Sequence, residues 1–270
     1  MDPSTALVHS GPLRLYTFSL SHFSEKIRWT LDASSIAFDE SPWTPFFHVP
    51  AALKRGGKTT VPILETTGVR VQDSTRILLW LEGNRAPFPL LPADKVERDA
   101  ALAVEARFDK TGEHVVRYAY STVLDDSESV IRFWTVDANP RQARVVRRWF
   151  PVLRWVFRRK LRIGADSVAR SRAAIASSIE WLASQGVPER LYLVGDRLTV
   201  ADLSAAALLA PLACPDEHPI YGSARYRAGI EPLVLEWQDS AAFRWVRAIY
   251  RLHRGGWARG AEIRRAIDAA

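Results

Sequence analysis

The first third of the chain alternates short apolar runs, polar turns and amphipathic segments. A strand through Tyr16 and Phe18 leads into a turn, and the segment from Ser21 to Asp32 then carries apolar residues at helical spacing. The pattern predicts further elements in this order: strand 36–43, helix 46–55, strand 59–65, strand 69–72 and helix 74–84. This amount of chain suits one small α/β layer.

From Asp94 onward the apolar spacing is almost entirely helical. A proline-rich connector precedes it, and long helices are predicted over 96–124, 169–186 and 199–213. The fold class expected from this order is α+β, with a mixed N-terminal domain and an all-helical C-terminal domain. The predicted boundaries are a flexible tail at 1–12, a first domain at 13–85, a linker at 86–93 and a helical domain at 94–270.

Composition narrows the class of protein. The chain has 270 residues, of which 47% are hydrophobic and 25% charged, a balance that allows two packed domains. No run approaches the roughly 18 apolar residues of a membrane-spanning helix, and the start lacks the charge order of a secretory signal, so a cytoplasmic protein is expected. The single cysteine, Cys214, argues against disulfides and a dithiol redox cycle. Six scattered histidines without an H-E-x-x-H motif make a metal site unexpected.

The turn before the first helix carries two serines, Ser21 and Ser24, three positions apart. A serine forms neither a practical thiolate nor a mixed disulfide, but its hydroxyl can donate a hydrogen bond to the thiolate of another molecule. Ionising a free thiol at neutral pH needs a shift of about 2 pKa units, or about 2.7 kcal/mol. A helix N-terminus supplies about 0.3–1 kcal/mol and a charge-assisted hydrogen bond about 1.5–3 kcal/mol, so the two together suffice.

Four motifs in chain order resemble the glutathione transferase family, in its bacterial, serine-type, theta- and zeta-like branch. They are "SHFSEKIRWTLD", "GGKTTVPIL", "VQDSTRILLWLE" and "GDRLTVADLSAAALL". The resemblance implies a thioredoxin-like, glutathione-binding first domain and a helical second domain. It also implies a homodimer with a detoxification role that transfers the thiol of glutathione, its co-substrate, to an apolar electrophile.

The resemblance assigns the thiol-activating role to Ser21, five residues after the strand tyrosine. Thioredoxin-like proteins carry the two redox cysteines of a C-x-x-C motif at this turn. Ser24 would then occupy the position of the second, resolving cysteine, with its side chain pointing into the helix. Tyr16 remains a minor alternative, because other classes use a tyrosine near this strand. A further alternative is that Ser21 only caps the helix.

Glutathione-binding residues follow from the same resemblance. The family's Val-Pro bond is cis, and a cis bond before Pro62 would leave the N–H and C=O of Val61 facing outward, where they can pair with the cysteinyl backbone of the tripeptide. The alternative is a strand that begins after an ordinary trans proline. Asp73 and Ser74 open a helix, where the hydroxyl and the first N–H groups can hold the γ-glutamyl carboxylate and Asp73 faces its ammonium. These two residues can also cap that helix.

The glycine end of the tripeptide needs a cation or donor, and His48 and Lys58 are the candidates, with solvent exposure as the alternative for both. Phe108, Tyr118 and Tyr120 are expected to line the apolar half of the cleft. Thr199 and Asp202 form a capping-box pattern and are assigned no ligand.

The segment 140–172 departs from the family pattern, because many arginines alternate there with aromatic residues. The favoured interpretation is that its aromatic side chains are buried in the helical domain or a dimer interface. The alternative is a weak contact with an anionic membrane or with nucleic acid, without a specific nucleic-acid motif. This supports the alternative function of a non-catalytic binding or membrane-associated module.

Overall fold

The computed structural model describes residues 11–257 and 259–269. Most of the predicted tail at 1–12 lies outside these residues. The N-terminal elements follow in the predicted order: β1 (Leu13–Thr17), α1 (His22–Ala33), β2 (Phe38–Pro42), α2 (Val49–Gly56), β3 (Ile63–Thr66), β4 (Val69–Gln72) and α3 (Ser74–Asn84).

These strands form one sheet in the order β2-β1-β3-β4. β1 is parallel to β2, with Leu15 opposite Glu40, and antiparallel to β3, with Leu15 opposite Leu64. β3 and β4 form an antiparallel hairpin that turns through Gly68 at a φ of 75°, a conformation that glycine adopts without strain. The sheet places the end of β1 and the start of β3 side by side.

Helices make up the regular structure of the rest of the described chain. They are α4 (Lys95–Val123), α5 (Ser127–Thr135), α6 (Pro140–Lys160), α7 (Ala165–Ser184), α8 (Val200–Ala213), α9 (Ala224–Val234), α10 (Ala241–His253) and α11 (Gly260–Asp268). The expected α+β class is therefore confirmed. No helix or strand lies between Asn84 and Lys95, the region of the predicted linker, while the domain boundaries themselves stay a prediction.

The centre of the molecule is α8, every residue of which is buried. It packs against α4, α10 and, across the two halves of the chain, α1. The Thr199–Asp202 pattern forms the expected capping box: Thr199 Oγ1 accepts from the N–H of Ala201 at 3.3 Å, and Asp202 Oδ2 accepts from the N–H of Thr199 at 2.8 Å. Capping matters here because a buried helix start has no water to satisfy its N–H groups.

The chain buries only some of the aromatic side chains of the basic segment. Val146 and Phe150 of α6 are buried, but Trp149 and Trp155 keep 55% and 60% of their surface exposed. The helical domain therefore does not cover these two tryptophans, and their burial in a dimer interface stays a prediction. In the described ranges, no helix is both long and apolar enough to cross a membrane.

Candidate functional site

Ser21 lies at the N-cap of α1, in the turn that follows β1. Its backbone is extended, and its Oγ accepts a hydrogen bond from the N–H of Ser24 at 3.2 Å. Within the described ranges, no acceptor contacts the Ser21 hydroxyl hydrogen, so the group caps the helix with a lone pair and keeps its proton available. Capping and donation to a ligand are thus compatible at this residue.

The two alternative hydroxyls lie in different surroundings. Ser24 is fully buried, and its Oγ accepts from the N–H of Phe18 at 3.4 Å, which fixes the turn from inside. Tyr16 is buried under α2, stacked on Trp43 with ring centroids 4.6 Å apart, and the Arg55 guanidinium lies 4.7 Å from its ring. Both side chains support the turn and the sheet rather than face an opening.

The Val61–Pro62 peptide bond is cis, as the resemblance implies, and immediately precedes β3. Val61 is half-buried. The preceding loop is held by Gln72, whose side-chain amide nitrogen Nε2 donates to the carbonyls of Lys58 and Thr60 at 3.0 and 2.7 Å. Pro62 is buried, and its carbonyl accepts from the N–H of Asp73 at 3.3 Å. The proline is therefore tied directly to the residue before α3.

Asp73 is the N-cap of α3 and has a φ of 99°, an uncommon conformation for a non-glycine residue. Its carboxylate accepts from the N–H of Arg76 at 3.1 Å. Ser74 is buried, and its hydroxyl donates to Asp109 at 3.3 Å while accepting from Lys26 at 3.4 Å. The N–H groups of Ser74 and Thr75 belong to the first turn, which has no intrahelical carbonyl for them.

A charged cluster that the sequence analysis missed lies behind this helix start. The Lys26 side chain is fully buried and binds the carboxylate of Glu105 and, at 3.1 Å, that of Asp109. Thr75 also donates to Glu105, at 2.6 Å. The cluster joins α1, α3 and α4. Glu105 and Asp109 lie four residues apart, on one face of α4, but the sequence does not show that this face meets Lys26.

His48 and Lys58 differ in accessibility. His48 is buried edge-on against Phe18, and its Nε2 donates to the Thr59 carbonyl at 3.1 Å. Burial lowers the pKa of His48, so its ring is the weaker cation of the two. Lys58 is exposed. Lys160, at the end of α6, also reaches Thr59, 3.2 Å from its Oγ1, and this cation was not anticipated from the sequence.

An apolar recess of about 30 Å³ opens beside the turn. The residues on both sides of Ser21 line it, and its remaining walls come from α4 and from the region of α8 and α9: Leu20, His22, Val116, Ala119, Tyr120, Val123, Pro211, Tyr221 and Tyr226. Tyr221 donates to the carbonyl of Leu20 at 2.5 Å and so attaches the turn to the helical half of the molecule.

His22 is the histidine that lines this recess, and its side chain is buried. Burial lowers the pKa of His22 to about 4, so its ring is neutral at physiological pH. Its Nε2 lies 3.0 Å from the Gly112 carbonyl, which assigns the proton to Nε2. A side chain at Gly112 would clash, because its Cβ would lie 2.9 Å from Phe23 and 3.2 Å from His22 Nε2. Glycine on α4 thus lets the start of α1 approach closely.

Of the three aromatic residues expected along the cleft, only Tyr120 lines the recess. Its Oη accepts from Trp134 Nε1 at 3.1 Å. Phe108 is buried against Trp181, and Tyr118 donates to the Leu233 carbonyl at 3.0 Å. The expectation was therefore wrong for these two, because the helix period alone does not reveal which apolar face meets the N-terminal half. Over the described ranges, no group of three His, Cys, Asp or Glu side chains is arranged to hold a metal ion.

Comparison with known proteins identifies the N-terminal domain and the fold. Residues 15–89 match the family model described as the glutathione S-transferase N-terminal domain. No curated protein matches the chain by sequence. Similar solved structures include glutathione transferase F2 from Populus trichocarpa, at 16% identity and a TM-score of 0.60, covering 94% of this chain and 100% of that one.

Two bacterial structures are similar over nearly their whole length. A glutathione S-transferase from Methylobacillus flagellatus with glutathione bound has 13% identity and a TM-score of 0.58, covering 93% of this chain and 98% of that one. FzlA from C. crescentus has 19% identity and a TM-score of 0.53, covering 93% and 99%. Residues 15–89 are thus a glutathione S-transferase N-terminal domain, and the chain as a whole has the glutathione transferase fold.

Proposed function

We propose that this protein is a glutathione transferase that activates the thiol of glutathione with Ser21 for attack on an apolar electrophile. The observation that carries the proposal is the Ser21 hydroxyl, which caps α1 through its oxygen and keeps its proton without an acceptor among the described residues. The recess lined by its two sequence neighbours is where the electrophile would meet the sulfur.

The helix N-terminus and the Ser21 hydroxyl together can stabilise a bound thiolate enough to ionise it at neutral pH. The N-terminus of α1 favours an anion by about 0.3–1 kcal/mol, and a hydrogen bond from Ser21 to a thiolate adds about 1.5–3 kcal/mol. Together they reach the roughly 2.7 kcal/mol that lowers a thiol pKa by about 2 units. His22 is uncharged at neutral pH, so it adds no cationic stabilisation of its own.

The rest of the tripeptide is assigned to the groups around the cis peptide bond and the start of α3. The backbone of Val61 would pair with the cysteinyl residue, with Pro62 fixing its orientation. The γ-glutamyl carboxylate would accept from the N–H groups of Ser74 and Thr75, since the Ser74 hydroxyl is already bound to Asp109. Asp73 would face the γ-glutamyl ammonium.

For the glycine carboxylate, Lys58 is the better of the two candidates. Its side chain is exposed, whereas His48 is buried and already donates to Thr59. His48 then acts by holding the loop that leads into Val61. Lys160 contacts the same loop and adds positive charge near this end of the ligand.

The size of the recess limits the electrophile. A space of about 30 Å³ holds about two water-sized groups, so a small apolar substituent enters it and the bulk of the substrate stays outside. The homodimeric state, the cytoplasmic location and a detoxification role are part of the proposal through the family resemblance. The competing function is a non-catalytic module of the same fold.

The test is the thiolate absorbance of enzyme-bound glutathione, followed against pH. Ser21→Ala is expected to raise the pKa of the bound thiol by about 1–2 units, the equivalent of the lost charge-assisted hydrogen bond. Conjugation at neutral pH is expected to fall by about one to two orders of magnitude and to recover partly at higher pH. Affinity for glutathione, measured by calorimetry, is expected to change much less.

Ser24→Ala and Tyr16→Phe are the matched controls, because each removes one hydroxyl from the same strand and turn. Their titration curves are expected to overlay that of the wild type. If the pKa of the bound thiol shifts in either control and not in Ser21→Ala, the activating hydroxyl is that of Ser24 or Tyr16 and not that of Ser21. Absence of detectable glutathione binding into the millimolar range would favour the non-catalytic module.

A further inference from the structure

One face of α6 (Pro140–Lys160) is both apolar and exposed. Its apolar positions are spaced by four, three and four residues, so they align along the helix: Val145, Trp149, Val152 and Val156. We call these four residues the α6 stripe. Each keeps between 40% and 55% of its surface exposed, and Trp155 beside them keeps 60%. Apolar side chains exposed in a continuous row mark an interaction surface.

The same helix is strongly basic and has no acidic residue. Segment 140–172 contains eleven Lys and Arg residues against one Asp, a net charge of +10, whereas the whole chain carries +7. Everything outside this segment therefore has a net charge of −3. Of the basic side chains on α6, Arg154 and Arg158 lie 3.5 and 3.4 Å from Asp125. Neutralisation by that one exposed carboxylate is slight.

Helical geometry places the charges next to the α6 stripe. Arg141, Arg148 and Arg159 project beside it, because each lies three or four residues from a stripe member. The Arg148 guanidinium lies 5.8 Å from the Trp149 ring, and the Arg159 guanidinium lies 5.4 Å from the Trp155 ring. Tryptophan and arginine side by side on an exposed helix are typical of segments that lie at a membrane–water interface.

We propose that α6 is a docking surface for an anionic lipid bilayer, with the α6 stripe among the lipid headgroups and acyl-chain ends and the arginines on the phosphates. Charge complementarity selects this occupant. A second copy of the chain would bring two rows of arginines together without acids to pair them. A nucleic acid would neutralise the arginines but leave the valines and Trp149 of the stripe uncovered.

The surface is already folded and oriented. Val146 and Phe150 are buried on a different face of α6 from the stripe, and the helix packs against α5. Both of its ends also contact the N-terminal half, where Thr44 donates to Gln142 at 3.1 Å and Lys160 donates to Thr59 Oγ1 at 3.2 Å. Docking therefore needs no folding step, and it would bring the loop before Val61 near the bilayer.

The test is co-sedimentation of the purified full chain with vesicles. Binding is expected to vesicles that contain phosphatidylglycerol and not to pure phosphatidylcholine, and it should weaken when salt is raised from about 0.05 to 0.5 M. Arg141→Gln, Arg148→Gln and Arg159→Gln combined are expected to weaken binding about a hundredfold, since each basic residue near an anionic surface contributes about fivefold. Trp149→Ser with Val152→Ser should weaken it at least about tenfold.

A matched control exists on α10, where Arg251 and Leu252 are exposed neighbours and Leu252 keeps 59% of its surface exposed. Arg251→Gln with Leu252→Ser is expected to leave vesicle binding unchanged. Thermal unfolding should be alike for all variants, because every substituted side chain is exposed.

Three results would overturn the proposal. One is no binding of the wild type to phosphatidylglycerol vesicles at low salt, and another is equal binding by the α6 and α10 variants. The third is a different occupant: tighter binding to duplex DNA than to vesicles, or a wild-type dimer that the Trp149 and Val152 substitutions convert to monomer without any vesicle binding. The outcome does not depend on glutathione binding.

Discussion

At the scale of single residues, Lys26 shows how a buried charge can hold three helices together. Its ammonium is fully buried, and the side chain of Glu105 opposite it is only 2% exposed. Desolvating two charges costs several kcal/mol each, which their attraction and the hydroxyls of Ser74 and Thr75 offset. Such a pair contributes little net stability, yet either charge left alone is strongly unfavourable.

This asymmetry gives a stability prediction. Lys26→Met is expected to lower the free energy of unfolding by about 3–5 kcal/mol, because Glu105 becomes a buried charge without its partner. The measurement is urea denaturation of each variant. Lys26→Met combined with Glu105→Leu should regain most of the loss, since both buried charges are then gone. A double variant no more stable than the single one would contradict the buried-charge explanation.

At the scale of elements, α8 depends on its cap because all of its residues are buried. Asp202 accepts from the N–H of Thr199 and, at 2.7 Å, from the N–H of Leu193, so it also fixes the loop that enters the helix. Burial raises the pKa of Asp202 to about 6. The capping box is therefore a structural feature of the core and lies apart from the proposed ligand.

Thr199→Ala is expected to lower the free energy of unfolding by about 1 kcal/mol, the usual cost of losing an N-cap hydroxyl. Glutathione affinity of the folded protein should not change. Chemical denaturation reports the first quantity and calorimetric titration the second. An unchanged denaturation midpoint would show that the hydroxyl does not stabilise α8.

At the scale of the whole molecule, α1 is tied to the end of α10 by a buried ionic network. Arg254 binds Glu25 at 2.6 Å and Asp32 at 2.8 Å, while Arg28 binds Glu25 at 2.5 Å and lies under the Trp257 ring at 3.8 Å. Burial alone would raise the pKa of Glu25, but the charges of Arg254 and Arg28 outweigh it and hold that pKa at about 2. Ion pairs thus link the N-terminal half of the chain to the C-terminal helices.

The burial of two histidines makes the stability of the fold sensitive to acid. Burial lowers the pKa of His22 to about 4 and that of His218 to about 3, from the usual value of 6.5. The unfolded chain binds protons at these histidines before the folded chain does, so stability is lost as pH falls below about 6.5. Glu25 has a lowered pKa in the folded chain, so it adds a further loss of stability below about pH 4.5. Asp202 has a raised pKa, so it acts in the opposite direction and adds stability as the pH falls from about 6 to 4. The net expectation is lower stability at pH 5 than at pH 7.

His218→Asn isolates one of these groups. An amide can still accept from the N–H of Tyr221, which His218 Nδ1 now accepts at 3.1 Å, but it does not titrate. The plot of unfolding free energy against pH should become shallower between about pH 4 and 6, by up to one proton or about 1.4 kcal/mol per pH unit. Guanidinium denaturation at each pH measures this slope, and a slope equal to that of the wild type would contradict it.

Much of the local structure could be predicted from the sequence because its determinants are neighbours in the chain. Apolar periodicity gave the order of strands and helices, Thr199 and Asp202 form their capping box, and the Val61–Pro62 bond is cis as the family resemblance implied. The position of Ser21 at the N-cap of α1 follows from the same kind of short-range pattern.

What only the tertiary structure decided depends on which faces meet over long separations. Phe108 and Tyr120 are both aromatic residues of α4, yet only Tyr120 lines the recess, since helix orientation is set by contacts with distant elements. The pairing of Lys26 with Glu105 spans 79 positions, and no local pattern encodes it. The exposure of Trp149 and Trp155 is likewise decided by which face of α6 meets α5, because a helix that is apolar on two faces can bury only the one its neighbours cover.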